Sequence, residues 1–265
     1  MLIYPQATSP LSKNGMSLEL RWFFQGKIPE EVKRWFNKGS FDNERFSLEK
    51  EEKYQDIYLF NPEVIYSSVK IRNENFGIKW RRNTLPITIR INKTNISGIA
   101  EEWKVWELKD NKTSEEIQLY MERNDKHPWM KINKKRQRYY FKISDTTKGL
   151  LEPETGGSNS DLSMELTNVI LEKNKDISWW TIGIDLFEKN SDGDSTSNYT
   201  NNGHEKKILE KISRTLLEDY PHNNLLEVRS YGYPQLFSLY ADLIKSSSQN
   251  NSNETTTSKF DVVKD

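Results

Sequence analysis

The sequence predicts an α+β fold, a sheet-dominated domain accompanied by a few amphipathic helices. Three observations predict it. Many segments alternate apolar and polar residues with a period of two, a few others repeat apolar residues at helical spacing, and turn-rich stretches separate them.

The stretch SLELRWFFQ, residues 17–25, is the first strand. Leu18, Leu20 and Trp22 point to one face and Ser17, Glu19 and Arg21 to the other. After Gly26, KIPEEVKRWFNKG reads as a short helix. Pro29 suits a first turn, Glu30 and Glu31 suit the positive end of the dipole, Gly39 is a stop, and Val32, Trp35 and Phe36 share a face. Strands are predicted next at 54–60, 68–72, 76–82, 86–92, 101–108, 128–132, 137–143, 161–171 and 179–187.

Two helical runs close the pattern. HEKKILEKISRTLLEDYP carries Ile208, Ile212, Leu216 and Leu217 and stops at Pro221, and YPQLFSLYADLIK carries Leu236, Tyr240 and Leu243. Both need an apolar surface to cover, which the sheet domain offers. Asn190 to Gly203 and the chain from Ser246 carry too little apolar surface to offset the entropy of ordering. The expected organisation is a β domain over 1–189, a flexible loop over 190–203, helices over 204–245 packing on the barrel or sheet, and a disordered tail over 246–265.

With 265 residues, 34% hydrophobic, the chain can bury one substantial core, and eight Trp, 12 Tyr and 11 Phe add large apolar areas to it. Trp103, Trp106, Trp179 and Trp180 read as core or helix-contact residues. A mean hydropathy of −0.85 and the lack of any apolar run of about 18 residues argue against a membrane protein. The first residues lack a charged head followed by an apolar core, so a cytoplasmic location is expected. Lys+Arg and Asp+Glu balance at 39 each, which disfavours nucleic acid as a partner and means that any anion site is a local concentration of charge. The absence of cysteine excludes disulfides, thiol catalysis and cysteine-ligated zinc. His127, His204 and His222 fall in loops without partner spacing and read as surface residues.

Parity gives the polar face of each strand. Lys70 and Arg72 oppose Val69 and Ile71; Lys79 and Arg81 oppose Ile78 and Trp80; Arg90 opposes Ile89 and Ile91; Glu102 and Lys104 oppose Trp103 and Val105. Farther on, Arg138 and Lys142 oppose Tyr139 and Phe141, Glu165 opposes Met164 and Leu166, and Asp185 opposes Ile184 and Leu186. Cations gather in the middle strands and acids in the first and late ones. Two readings stay open: a sheet with one wet face, or a polar interior. A polar interior of this composition suits a polyphosphate, neutralised by the cations, with Mg²⁺ or Mn²⁺ held by the carboxylates. The basic run Lys131 to Tyr140 reads as a rim or inward strand.

The order of these strands resembles the CYTH or triphosphate-tunnel superfamily over roughly residues 16 to 190. It runs from an acid/base strand and a helix through DIYLF, VKIR and GIKWRR. EEWKVW, KKRQRYYFK, MELTNV and GIDLFE follow. The resemblance implies an antiparallel eight-stranded β-barrel, a charged tunnel, and binding or metal-dependent hydrolysis of a triphosphate or polyphosphate. It implies phosphate-binding roles for Arg21, Lys70, Arg72, Lys79, Arg81, Arg90, Lys104, Arg138 and Lys142, and metal-binding roles for Glu19, Glu102, Glu165 and Asp185. The family's signature strand is Glu-x-Glu-x-Lys, whereas this chain has Ser17-x-Glu19-x-Arg21. Loss of the first acid weakens the metal half more than the phosphate half, and arginine does not deprotonate to act as a base. The alternative expectation is a non-catalytic module that recognises a phosphorylated ligand or a protein partner.

Overall fold

The structure, a computed structural model, describes residues 13–41, 44–73, 75–91, 94–109, 111–124, 126, 128–145, 150–154, 160–172, 177–187 and 202–250. In chain order they form β1 (Lys13–Gln25), α1 (Glu30–Lys38), the small hairpin β2 (Ser40–Phe41) and β3 (Glu44–Arg45), β4 (Glu52–Leu59) and β5 (Ser67–Arg72). Then come β6 (Asn75–Ile91), β7 (Thr94–Lys109), α2 (Asn111–Arg123), β8 (Trp129–Asp145), β9 (Leu150–Glu154), β10 (Leu162–Leu171) and β11 (Ser178–Phe187). The helix α3 (Asn202–Leu217), the 3₁₀ turn Glu227–Arg229 and the helix α4 (Tyr233–Asn250) complete the chain.

The strands β10, β11, β1, β7, β6, β5, β4 and β8 hydrogen-bond in that order, and a further β10–β8 pairing closes them into an eight-stranded antiparallel barrel. β9 adds to β8 outside the closure. The predicted fold class is therefore the observed one, with four helices around the barrel. Among the described residues no helix is long and apolar enough to cross a membrane.

The alternation seen in the sequence builds the outer wall. Leu18, Leu20, Trp22 and Phe24 of β1 join Met164, Leu166, Ile182 and Ile184 in a core that α1 covers with Val32, Trp35 and Phe36. α3 contributes Leu209, Ile212 and Leu216 to the same core, which also holds Ile87, Ile89 and Ile91 of β6. Full burial of each such side chain contributes about 1.5–3 kcal/mol, the dominant favourable part of folding. α1 ends at Gly39, whose φ of 57° is left-handed and whose N–H donates to the Phe36 carbonyl oxygen at 3.2 Å. A Cβ there would also lie 2.7 Å from the Tyr139 hydroxyl, so glycine is required twice over.

Inside, the barrel has two zones. Phe23, Met130, Ile132, Val169, Leu171 and Trp179 form an apolar end, filled by Leu236, Phe237 and Tyr240 of α4. α4 thus seals that end, and the polar zone lies next to it.

Several expectations are corrected. α2 was not predicted; its Ile117 and Met121 cover Ile57 and Ile71, a stripe too narrow to stand out beside exposed Leu119 and Tyr120. The predicted strands 76–82 and 86–92 are one strand, β6, with an irregularity between Arg81 and Asn83, and the predicted strands 128–132 and 137–143 are one strand, β8. The predicted tail begins too early, because residues 246–250 continue α4; residues 251–265 lie outside the described residues. Of the predicted loop, residues 190–201 lie outside the description and Asn202 and Gly203 open α3.

Candidate anion-binding tunnel

The polar zone encloses a cavity of about 170 Å³. Because neighbours across a ladder share a face, the register states which residues enter it. Glu19 and Arg21 of β1 lie opposite Asp185 and Gly183 of β11, and Glu165 and Thr167 of β10, opposite Gly183 and Thr181, continue the row. Arg136 and Arg138 of β8 pair with Thr167 and Glu165. Lys70 and Arg72 of β5 and Lys79 of β6 complete the ring. Of the residues the sequence nominated, Arg21, Lys70, Arg72, Lys79, Arg138, Glu19, Glu165 and Asp185 therefore line one enclosed space.

The others do not. Arg81 sits beside the cavity, bonded to Glu101, and lines a neighbouring cavity of about 470 Å³ with Ile99, Val228 and Tyr231. Glu102 faces out and pairs with Arg82 at 3.3 Å, because Glu102 lies opposite outward Leu18 while Glu101 lies opposite Glu19. Lys104 is exposed on the same outer side, near the Trp80 ring. On this strand the apolar residue is the inward one: Trp103 lies within 4.9 Å of the Lys79 ammonium and donates its indole N–H to Glu101 Oε2 at 3.2 Å. Arg90 is exposed because residues 86–91 and 94–99 of the β6–β7 hairpin pair only with each other, beyond the barrel. Lys142 lies past the β8–β10 pairing and bridges to Glu154 at 2.8 Å.

Sequence reading missed Tyr54, Tyr58, Asp56, Lys134, Arg136 and Tyr233. Lys134 and Arg136 share the parity of Arg138 within the basic run, so a signal existed. Tyr233 opens α4, and with Gly232 and Pro234 it forms part of the cavity wall. Nothing in its local sequence announces that.

The charges are paired unevenly. Asp56 is fully buried and accepts from Arg72 Nη2 at 2.7 Å and Lys134 Nζ at 2.8 Å. Burial opposes its ionisation, but Lys134 and Arg72 hold its carboxyl far below the usual range. Glu165 accepts from Arg21, from Arg138 at 3.2 Å and from Arg136 at 3.5 Å. Against burial, these three guanidinium groups hold its carboxyl well below the usual range. Glu19 accepts from Lys79 and, at 2.9 Å, from the Ser17 hydroxyl. Burial pushes the Asp185 carboxyl up to about 7 despite Arg21, with Glu19 and Glu165 adding to the push.

The lysines feel the opposite pressure. Burial lowers Lys134 to about 7 against the pull of Asp56, and burial with the nearby Arg72 charge lowers Lys70 to about 8. Among the described residues the Lys70 ammonium has no hydrogen bond or ion pair. Arg21, Lys70, Arg72, Lys79, Lys134, Arg136 and Arg138 give seven cations against five carboxylates, Glu19, Asp56, Glu165, Asp185 and Glu52, the last paired with Arg136. Two positive charges remain uncompensated when all are ionised.

Among the described residues no group of three or more His, Asp or Glu side chains is arranged to hold a metal ion. Each carboxylate is instead committed to a guanidinium or ammonium. His222 lies away from the cavity, 3.2 Å from Glu31 on α1. His127 and the side chain of His204 lie outside the described residues, although His204 falls within α3 and not in a loop. Comparison with protein-family models matches no family, and comparison with curated proteins matches none.

Proposed function

We propose that the barrel binds a triphosphate-containing or polyphosphate anion in its cationic interior, as a diverged relative of the triphosphate-tunnel proteins it resembles. The observation that carries this reading is the convergence of seven cations from β1, β5, β6 and β8 on one cavity with five carboxylates to balance them. A buried excess of positive charge is costly unless a polyanion compensates it, and phosphoryl oxygens accept from arginine in pairs. Lys70, which has no hydrogen bond or ion pair among the described residues, supports the same reading. The volume of about 170 Å³ lies below the roughly 300–1,000 Å³ of drug-sized sites, which favours a compact phosphate chain over a nucleoside within the barrel.

Calorimetric titration with tripolyphosphate, pyrophosphate and orthophosphate tests the reading, with Arg138→Ala as the control variant. Tripolyphosphate is expected to bind tightest, and Arg138→Ala to weaken it at least tenfold. Absence of heat with all three would sink the proposal. A phosphate-release assay with Mg²⁺ or Mn²⁺ in the same samples separates an enzyme from a binding protein.

A further inference from the structure

The inference rests on the anion-binding reading of the tunnel and concerns how that anion is held. We propose that the Arg21 guanidinium occupies the place between Glu165 and Asp185 that a divalent cation would take, so that anion binding here needs no metal ion.

Arg21 is 7% exposed. Its Nη1 donates to Glu165 Oε1 and to Thr181 Oγ1 at 3.2 Å, and its Nη2 lies 3.3 and 3.4 Å from the two oxygens of Asp185. One fixed cation therefore joins the carboxylates of two neighbouring strands. The seat for it is built. Gly183 lies directly opposite Arg21 on one side and Glu165 on the other. A Cβ on Gly183 would lie 2.9 Å from Arg21 Cζ and 3.0 Å from each terminal nitrogen, so the guanidinium rests on bare backbone. Glycine between the two strands is what lets an arginine on β1 reach an acid on β10.

The donor set also resists a metal. Divalent cations bind carboxylate oxygens at about 2.0–2.6 Å. An ion that close to Glu165 would meet the guanidinium groups of Arg21, Arg136 and Arg138, all already on that carboxylate. A lysine could surrender a proton and swing away, but arginine keeps its charge and its planar fork.

The experiment has two arms. In the first, Mn²⁺ alone is titrated into the protein and followed by electron paramagnetic resonance, which needs no polyphosphate. The wild type is expected to leave the free Mn²⁺ signal unchanged, while Arg21→Ala, which frees Asp185 and relieves Glu165 of one of its three guanidinium groups, gains one Mn²⁺ site. Arg21→Lys, which keeps a positive charge for folding, is expected to gain a weaker one. Stoichiometric Mn²⁺ binding by the wild type would overturn the inference, as would folded variants that gain none. In the second arm, tripolyphosphate binding is measured in EDTA and in Mg²⁺. Affinity within about threefold across the two supports the inference; binding that appears only with Mg²⁺ overturns it while leaving the proposed function intact. Absence of polyphosphate binding in both conditions defeats the proposed function instead, and the Mn²⁺ arm still decides the role of Arg21.

Discussion

Asp56 on β4 and Arg72 on β5 form a two-point ion pair, Nη2 lying 2.7 Å from Oδ2 while Nε reaches Oδ1, and Lys134 of β8 closes on the same carboxylate at 2.8 Å. Asp56 has no exposed surface, so three strands are tied together by one acid away from water. Removing one partner of a buried pair leaves the others uncompensated at a cost of about 3–5 kcal/mol. Asp56→Asn, nearly the same shape without the charge, is expected to lose stability of that order, read as a lower midpoint in urea denaturation. A midpoint within error of the wild type would show that the triad is solvated in solution.

The two depressed lysines set a pH dependence whose sign can be worked out. The unfolded chain keeps these ammonium protons up to about 10.5, whereas folded Lys134 and Lys70 release theirs near 7 and 8. Between those limits the unfolded state binds more protons, so their contribution to stability rises with pH. Anion binding moves the other way, because neutral lysines attract phosphate less. Tripolyphosphate affinity is expected to fall from pH 7 to pH 9, and binding near pH 8 to draw in protons. Calorimetry in buffers of different ionisation enthalpy measures that uptake. Lys134→Met, which removes the ammonium beside Asp56, Tyr58 and the Tyr233 ring, is expected to flatten the stability profile. An enthalpy independent of buffer would contradict the protonation states assigned here.

The barrel and most of its inner row were legible because period-two alternation survives folding whatever the partners are. Glu19, Arg21, Glu165 and Asp185 are on the inner face for the same reason that Leu18, Leu20, Leu166 and Ile184 are in the outer core. Parity failed on β7, where both candidate faces hold aromatics and only the register with β1 selects Glu101 over Glu102. It failed at Arg90 and Lys142 for another reason. These positions follow the alternation but lie past the closed part of the barrel, and strand length says nothing about where closure ends. Tyr233 was illegible because it reaches the cavity through the seating of α4, a tertiary event. The hint for that seating was the run Trp22-Phe23-Phe24, which breaks the alternation where β1 is buried on both faces.

The contrast between inner and outer cations yields a paired prediction. Arg136, bonded to Glu52 at 2.6 Å and near Glu165, faces the cavity, while Arg90 and Lys104 face solvent. Arg136→Ala is expected to weaken tripolyphosphate at least tenfold, and Arg90→Ala and Lys104→Ala to leave it within about twofold. Equal losses at all three, measured by calorimetry at constant ionic strength, would mean that general surface charge and not the tunnel holds the anion.

Sealing of the apolar end makes α4 part of the proposed binding site at one remove. Leu236 is fully buried, one turn after Tyr233, whose ring lies 3.5 Å from the Lys134 ammonium and packs edge-on against Phe23. Leu236→Ala opens a cavity in that end and is expected to lower stability by about 2–5 kcal/mol. Loosening the helix start also frees Tyr233 from its place over Lys134, so tripolyphosphate affinity is expected to fall severalfold although Leu236 touches no charged group of the tunnel. Val228→Ala, at an 81% exposed position on the preceding turn, provides the control and is expected to stay within about 0.5 kcal/mol of the wild type. Stability loss in Leu236→Ala with unchanged affinity would confine α4 to a structural role and detach Tyr233 from recognition.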